Sequence, residues 1–204
     1  MNFIGAGKKL DDIDLPRAGA LIGVGEDEIH AVLDTETAGT GFDAAGRPKL
    51  LFEPHVFFRL LSRAGKSDAL REARRQDLAY PRWGMEKYPR DSYPRLVAAT
   101  ALDEDLALQS ASWGLGQLMG FNYVTAGYGS ALAMVTDFAA DEENQLNAMI
   151  HFIVSTGLDD ELRRHDWRGF ARGYNGPGFA KNGYDKKLAA RFDAWQKIKD
   201  TPLN

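Results

Sequence analysis

The longest apolar stripe in the chain runs through Leu146, Met149, Ile150 and Ile153, spaced i, i+3, i+4, i+7 behind Asp141, an aspartate placed to cap a helix. A helix with so wide an apolar face is stable only when other elements cover it, so the stripe predicts a central helix in an α-rich core. The chain supplies such covers repeatedly. Ile29, Val32 and Leu33 repeat the helical spacing after three acids, Glu26, Asp27 and Glu28, that suit a helix N-terminus, and Gly39 stands where that helix should end. Pro54 suits a first helical position, and Val56, Phe57, Leu60 and Leu61 predict a helix over 54–64. A basic helical linker follows, then a loop rich in aromatics and prolines from Tyr80 to Pro94. Residues 95–109 read as one helix, or as two with a break near Asp103. Ser130 caps a helix reaching Phe138, Asp166 starts a short one carrying Trp167, Phe170 and Ala171, and Tyr184 to Lys199 forms the last, with Leu188, Phe192 and Trp195.

Strand signals are few. Residues 40–53, with the turn-like Asp43-Ala44-Ala45-Gly46 before Leu50-Leu51-Phe52, predict a small β-hairpin or an ordered loop, and strand content is expected to end there. The glycine-punctuated segment Ser112 to Gly120 reads as a short helix or turn with functional contacts. Residues 1–24 are glycine-rich and without a period, and are expected to form an arm ahead of a domain spanning 25–204. The resulting expectation is a mainly α single domain of eight or nine helices with one small β element. A chain of 204 residues supports one core of that kind.

Several chemistries are excluded at this level. The chain has no cysteine, hence no disulfide, thiolate metal site or cysteine nucleophile. His30, His55, His151 and His165 lack ligand spacing, so neither a metal nor another cofactor is expected. Serine-triad, phosphate-loop and dinucleotide signatures are missing.

One residue breaks the amphipathic pattern. Glu36 is the next position on the stripe of Ile29, Val32 and Leu33, so a carboxyl group faces where the core packs. Burial disfavours the ionised form and raises the pKa above the usual value of about 4.3, which is what a general acid needs. On periodicity alone the alternative stands beside it: a carboxylate in the last turn that reaches solvent or pairs with an arginine. Asp34 falls on the polar side and is expected to be solvated.

The surroundings of Glu36 favour the first reading. Glu36-Thr37-Ala38-Gly39-Thr40-Gly41-Phe42, then Leu51-Phe52-Glu53-Pro54-His55-Val56-Phe57, then Ser112-Trp113-Gly114-Leu115-Gly116-Gln117-Leu118-Met119-Gly120, then Asp166-Trp167 with Phe170-Ala171 and Tyr174-Asn175-Gly176, closely resemble four ordered blocks of the N-acetylmuramidase family of phage endolysins and related wall hydrolases. The resemblance covers roughly residues 20–198. It implies a lysozyme-like fold, hydrolysis of the β-1,4 bond between N-acetylmuramic acid and N-acetylglucosamine in peptidoglycan, and Glu36 as the catalytic glutamate.

Glycoside cleavage also needs a group that stabilises or attacks the oxocarbenium-like centre. The candidates are Glu53, which otherwise reads as a helix-start acid or an arginine partner, and Asp43, which otherwise reads as a turn former. The third possibility is that the substrate's own N-acetyl or 6-hydroxyl group acts, the latter giving a 1,6-anhydro product as in lytic transglycosylases. By the resemblance Ser112, Trp113, Gln117, Tyr174 and Asn175 would line the glycan cleft, and Trp83 and Tyr123 are further stacking candidates. A non-catalytic wall-binding or phage structural module is the alternative from another class.

Charge is distributed in blocks. Five basic residues face ten acidic ones over 1–58, ten face five over 59–95, none faces nine over 96–160, and ten face five over 161–204. The two basic segments, with acids interleaved, suggest solvated faces that could also meet anionic wall or outer-membrane groups. Nucleic-acid binding is not expected, since no reading motif accompanies the charge. With no apolar run near the roughly 18 residues of a membrane span and no signal-like segment after Lys8 and Lys9, the expectation is a monomer made in the cytoplasm, not inserted in the membrane, and reaching the wall through a holin or its equivalent.

Overall fold

The computed structural model describes residues 3–36, 40–85 and 87–202. Helix α2 (Glu26–Glu36) lies between α1 (Asp14–Ile22) and α12 (Tyr184–Trp195). Its stripe is buried as the spacing predicts, with Ile29 and Val32 wholly enclosed. The expected end of this helix at Gly39 falls outside the described residues.

The remaining helices are α3 (Pro54–Arg63), α4 (Ser67–Arg75), α5 (Tyr93–Thr100), α6 (Glu104–Gln109), α7 (Ala131–Ala140), α8 (Glu142–Ser155), α9 (Asp159–Arg163), α10 (Trp167–Tyr174) and α11 (Phe179–Asn182). The caps read from the sequence are present. Ser130 accepts from the N–H of Ala133, Asp141 from Glu143, and Asp166 from Gly169. Asp103, at the expected break, caps α6 by accepting from Leu106. The twelve helices among the described residues exceed the eight or nine expected because pieces as short as α9 and α11 are too brief to show a period. Helix α8 is central, with Leu146, Met149 and Ile153 enclosed beside Phe138 and Phe170.

Two expectations need correction. The segment before residue 24 is not merely an arm: Leu15, Ala18, Gly19 and Ile22 form a buried helical stripe on α1. Two of its four positions are the small residues Ala and Gly, which hide the period. Upstream, the N–H groups of Gly7 and Lys8 bond the carbonyls of Ala139 and Ala140, and Phe3 packs on Trp113 and Tyr93 at ring separations of 5.5 and 6.0 Å.

Strand content also does not end at residue 53. β1 (Leu50–Phe52) pairs antiparallel with β2 (Ala111–Trp113), and β2 with β3 (Leu118–Met119), so that Leu51, Ser112 and Met119 lie side by side. The 112–120 segment is thus a hairpin, not a helix. Its strands are two and three residues long and its main partner is some sixty residues away, so no local pattern announces it. Residues 41–49 fold as the ordered loop that was the second option, closed by Asp43 N–H to Arg47 O at 2.8 Å and Lys49 N–H to Gly41 O at 2.7 Å. Among the described residues no helix is long and apolar enough to cross a membrane, and no group of three His, Asp or Glu is arranged to hold a metal.

Candidate active site

Glu36 is the last described residue of α2, and the 41–49 loop lies beside it along one cavity. The loop is pinned from behind by buried residues of α8. Glu142 accepts from the N–H of Gly41 at 2.8 Å, and from Lys9 Nζ and the N–H of Leu10. Together α2, the 41–49 loop, the β2–β3 turn and the chain entering α5 wall a cavity of about 750 Å³. Glu36 and Asp43 both line it, with Asp34, Arg47, Asp91 and Gln117.

The two carboxyl groups sit in opposite environments. Protein packed round Glu36 pushes its pKa up from 4.5 to about 7, a rise that a hydrogen bond from Asn175 and the charge of Lys187 only partly oppose. Asn175 Nδ2 donates to Glu36 Oε1 at 2.8 Å. Partial burial of Asp43 works to raise its pKa, but four interactions outweigh it and hold it below the ordinary value: the Arg47 side chain, the N–H groups of Arg47 and Ala45, and the Arg47 charge. Arg47 Nε lies 2.8 Å from Asp43 Oδ2 and its terminal nitrogen 2.7 Å, a two-pronged contact. The guanidinium reaches Asp91 at 3.3 Å and stacks 3.8 Å above the Tyr93 ring, whose hydroxyl donates to Pro48 O. Near neutral pH one wall therefore carries a carboxyl that is still about half protonated, and the other a carboxylate that has lost its proton.

The remaining predicted residues divide. Gln117 lines the cavity, held at φ +47° by its own Nε2 bond to Gly114 O, while Ser112 Oγ donates to Gln117 Oε1 at 2.9 Å from a buried position. Ser112 therefore orients Gln117 and does not face the cavity. Tyr174 donates its hydroxyl to Gly116 O at 2.7 Å, tying α10 to the hairpin, and Asn175 donates its Nδ2 to Glu36. Trp113 is corrected: it is wholly enclosed, its indole N–H bonded to Leu108 O, and it belongs to the core rather than to a sugar platform. Tyr123 is half-buried against that core, whereas Trp83 is exposed on the 80–93 loop with Lys181 Nζ 5.3 Å from its ring centre.

Glu53 is not among the residues lining the cavity. It precedes α3, receives the hydroxyl of Tyr88, and has His55 Nδ1 at 3.2 Å, as befits a helix-start acid. Asp34 is not simply solvated, since Trp195 donates its indole N–H to it at 2.9 Å. Arg47, Asp91, Tyr184 and Lys187 were not foreseen as neighbours of the site. The only available signal was that Arg47 follows Asp43 by four residues within one turn. Tyr184 and Lys187 share a face of α12 at i, i+3, and both lie close enough to Glu36 for charge coupling.

Comparison with known proteins gives the family and the fold. The family model for N-acetylmuramidases matches residues 26–196. The chain belongs to the N-acetylmuramidase family. Its members are glycoside hydrolases that act on peptidoglycan. The crystal structure of the endolysin of Burkholderia phage AP3 superposes with a TM-score of 0.80 at 34% identity, covering 94% of this chain and 73% of that one. Both findings support a lysozyme-like fold for this chain. No protein of curated function matches the sequence significantly.

Proposed function

We propose that the protein cleaves the β-1,4 bond between N-acetylmuramic acid and N-acetylglucosamine, with Glu36 as general acid and Asp43 as the ionised partner. One observation carries the reading: two carboxyl groups line one cavity, and their surroundings drive their pKa values apart. Glu36 keeps a proton for the leaving oxygen, and Asp43 keeps a negative charge for the oxocarbenium-like centre. Gln117 supplies amide hydrogen-bonding groups on the same wall. The likeness to a phage endolysin supports a role in wall lysis.

Purified peptidoglycan tests this directly. Wild-type digests should contain muramoyl reducing ends by mass spectrometry, and Glu36→Gln should release almost none. Predominant 1,6-anhydro-muramoyl ends would overturn the hydrolytic step in favour of a transglycosylase. An inactive wild type that still bound wall would leave only a binding module.

Affinity for anionic wall polymers is assigned, within the same proposal, to the basic segments 59–95 and 161–204. On α4, Arg71 and Arg75 are engaged by Asp68 and Glu72, which leaves Arg74 the better placed of the three for an outside anion. Reversing all three to glutamate should weaken wall binding and flatten its salt dependence; unchanged binding would make the face merely solvated.

A further inference from the structure

A second depression of about 730 Å³ adjoins the cavity that holds Glu36 and Asp43. The two share Ala45, Arg47, Asp91 and Tyr93, so they adjoin, with the stack of Arg47 on Tyr93 as the ridge between them. Beyond that ridge the lining changes character. Phe3, Ile4, Pro94 and Val97 replace the carboxyl and amide groups of the catalytic side. Ile4 is 54% exposed and Val97 46%, and two large apolar side chains left open on one depression call for an occupant where a single one would not.

The chemistry of the lining decides which part of the substrate fits. A sugar is recognised by polar groups aimed at its hydroxyls or by a free aromatic face. Here the polar groups are already committed, Arg47 to Asp43 and Asp91, and the hydroxyl of Tyr93 to Pro48 O. The Tyr93 ring is covered by the guanidinium at 3.8 Å, and Phe3 is buried. An apolar shelf without free donors suits small aliphatic side chains. In peptidoglycan those belong to the stem peptide, which leaves the glycan through the lactyl group of muramic acid and begins with an alanine.

We propose that the shelf formed by Ile4, Pro94 and Val97 binds the stem peptide of a muramoyl residue seated in the adjoining cavity, so that the enzyme prefers peptide-bearing glycan to bare glycan. This rests on reading that cavity as the glycan-cleaving site. The Arg47–Tyr93 ridge separates the two functions: the saccharide lies on the side of Glu36, and the peptide crosses the ridge.

The test compares peptidoglycan with the same strands stripped of stem peptides by an amidase, using Val97→Glu and Ile4→Glu, substitutions at exposed positions whose folding is checked by circular dichroism and melting. On intact peptidoglycan each variant should lose about tenfold in kcat/KM, the order expected for losing one buried aliphatic contact, and on stripped strands neither should differ from wild type. Equal loss on both substrates would place sugar on the shelf and overturn the proposal. No loss on either would leave the shelf without an occupant and overturn it also. As a second readout, calorimetry on the Glu36→Gln protein should show a soluble muramoyl peptide binding about tenfold more weakly when Val97→Glu is added, and the peptide-free disaccharide unaffected. Retained activity in Glu36→Gln alone would sink the cleavage reading instead, a result independent of the Val97 comparison.

Discussion

Asn175 Nδ2 donates to Glu36 Oε1 at 2.8 Å, joining residues 139 positions apart. Because that oxygen accepts, the contact favours a proton on Oε2 when the carboxyl is neutral. Asn175 ends α10, and its neighbour Tyr174 is anchored to Gly116 O in the β2–β3 turn. Helix α2, the hairpin and α10 thus meet around one carboxyl group.

The first prediction concerns the pH profile. A donor on a carboxylate favours the charged form, so losing it raises the pKa. Asn175→Ala should move the alkaline limb of kcat/KM upward from near pH 7, since a general acid works only below its pKa. Lys187→Met removes a charge acting in the same direction and should also move the limb upward. A limb that stays in place in both variants would show that it reports another group.

A second prediction links the same pKa to stability. Glu36 is raised in the folded state, so folding takes up a proton between about pH 4.5 and 7, and stability falls as pH rises through that window. Above pH 7 the ionised side chain costs about 3 kcal/mol, from roughly 2.5 pH units at about 1.36 kcal/mol each. Glu36→Gln should therefore melt several degrees above wild type at pH 8 and close to it at pH 4. Equal melting shifts at the two pH values would mean that Glu36 is not held away from solvent.

The two candidate partner carboxylates can be ranked by mutation. Asp43→Asn should lower kcat by about 10²-fold or more with little change in KM, because a charge acting on the transition state is lost. Glu53→Gln should alter kcat by no more than a few-fold and show its effect in melting, since Glu53 serves Tyr88 and α3. The opposite ranking would move the second catalytic role to Glu53.

Much of this architecture was legible in the sequence because it rests on local periodicity. Ile29, Val32 and Leu33 foretold the buried face of α2, and their continuation to Glu36 foretold a carboxyl group in an apolar setting. The caps at Asp141 and Asp166 were equally plain. What escaped was set by non-local pairing. β2 exists because Ser112 meets Leu51, and Arg47 matters because folding brings Asp43, Asp91 and Tyr93 around it. Trp113 misled for a related reason: a tryptophan beside glycines reads the same whether its ring faces a groove or, as here, the core.

The last prediction tests the pin that positions the 41–49 loop. A Cβ on Gly41 would lie 1.9 Å from Gln145 Oε1, and Gln145 cannot yield without loss. It is wholly buried, its Oε1 accepting from the N–H of Leu115 at 2.7 Å and its Nε2 donating to Phe138 O at 2.8 Å. Displacing it strands buried polar groups at a cost of about 1–3 kcal/mol, which for a chain of this size lowers the melting temperature by roughly 2–12 °C. Pushing the loop outward instead would strain the bond from the N–H of Gly41 to Glu142 and carry Asp43 away from Glu36. Gly41→Ala should therefore lose both stability and kcat. Gly46→Ala in the same loop is the control: its φ of +74° adds about 1–2 kcal/mol of strain, but nothing lies within 4 Å of the new methyl, so kcat should hold. If Gly41→Ala matched Gly46→Ala in both melting and kcat, the contact between the loop and α8 would not be what places Asp43 opposite the acid.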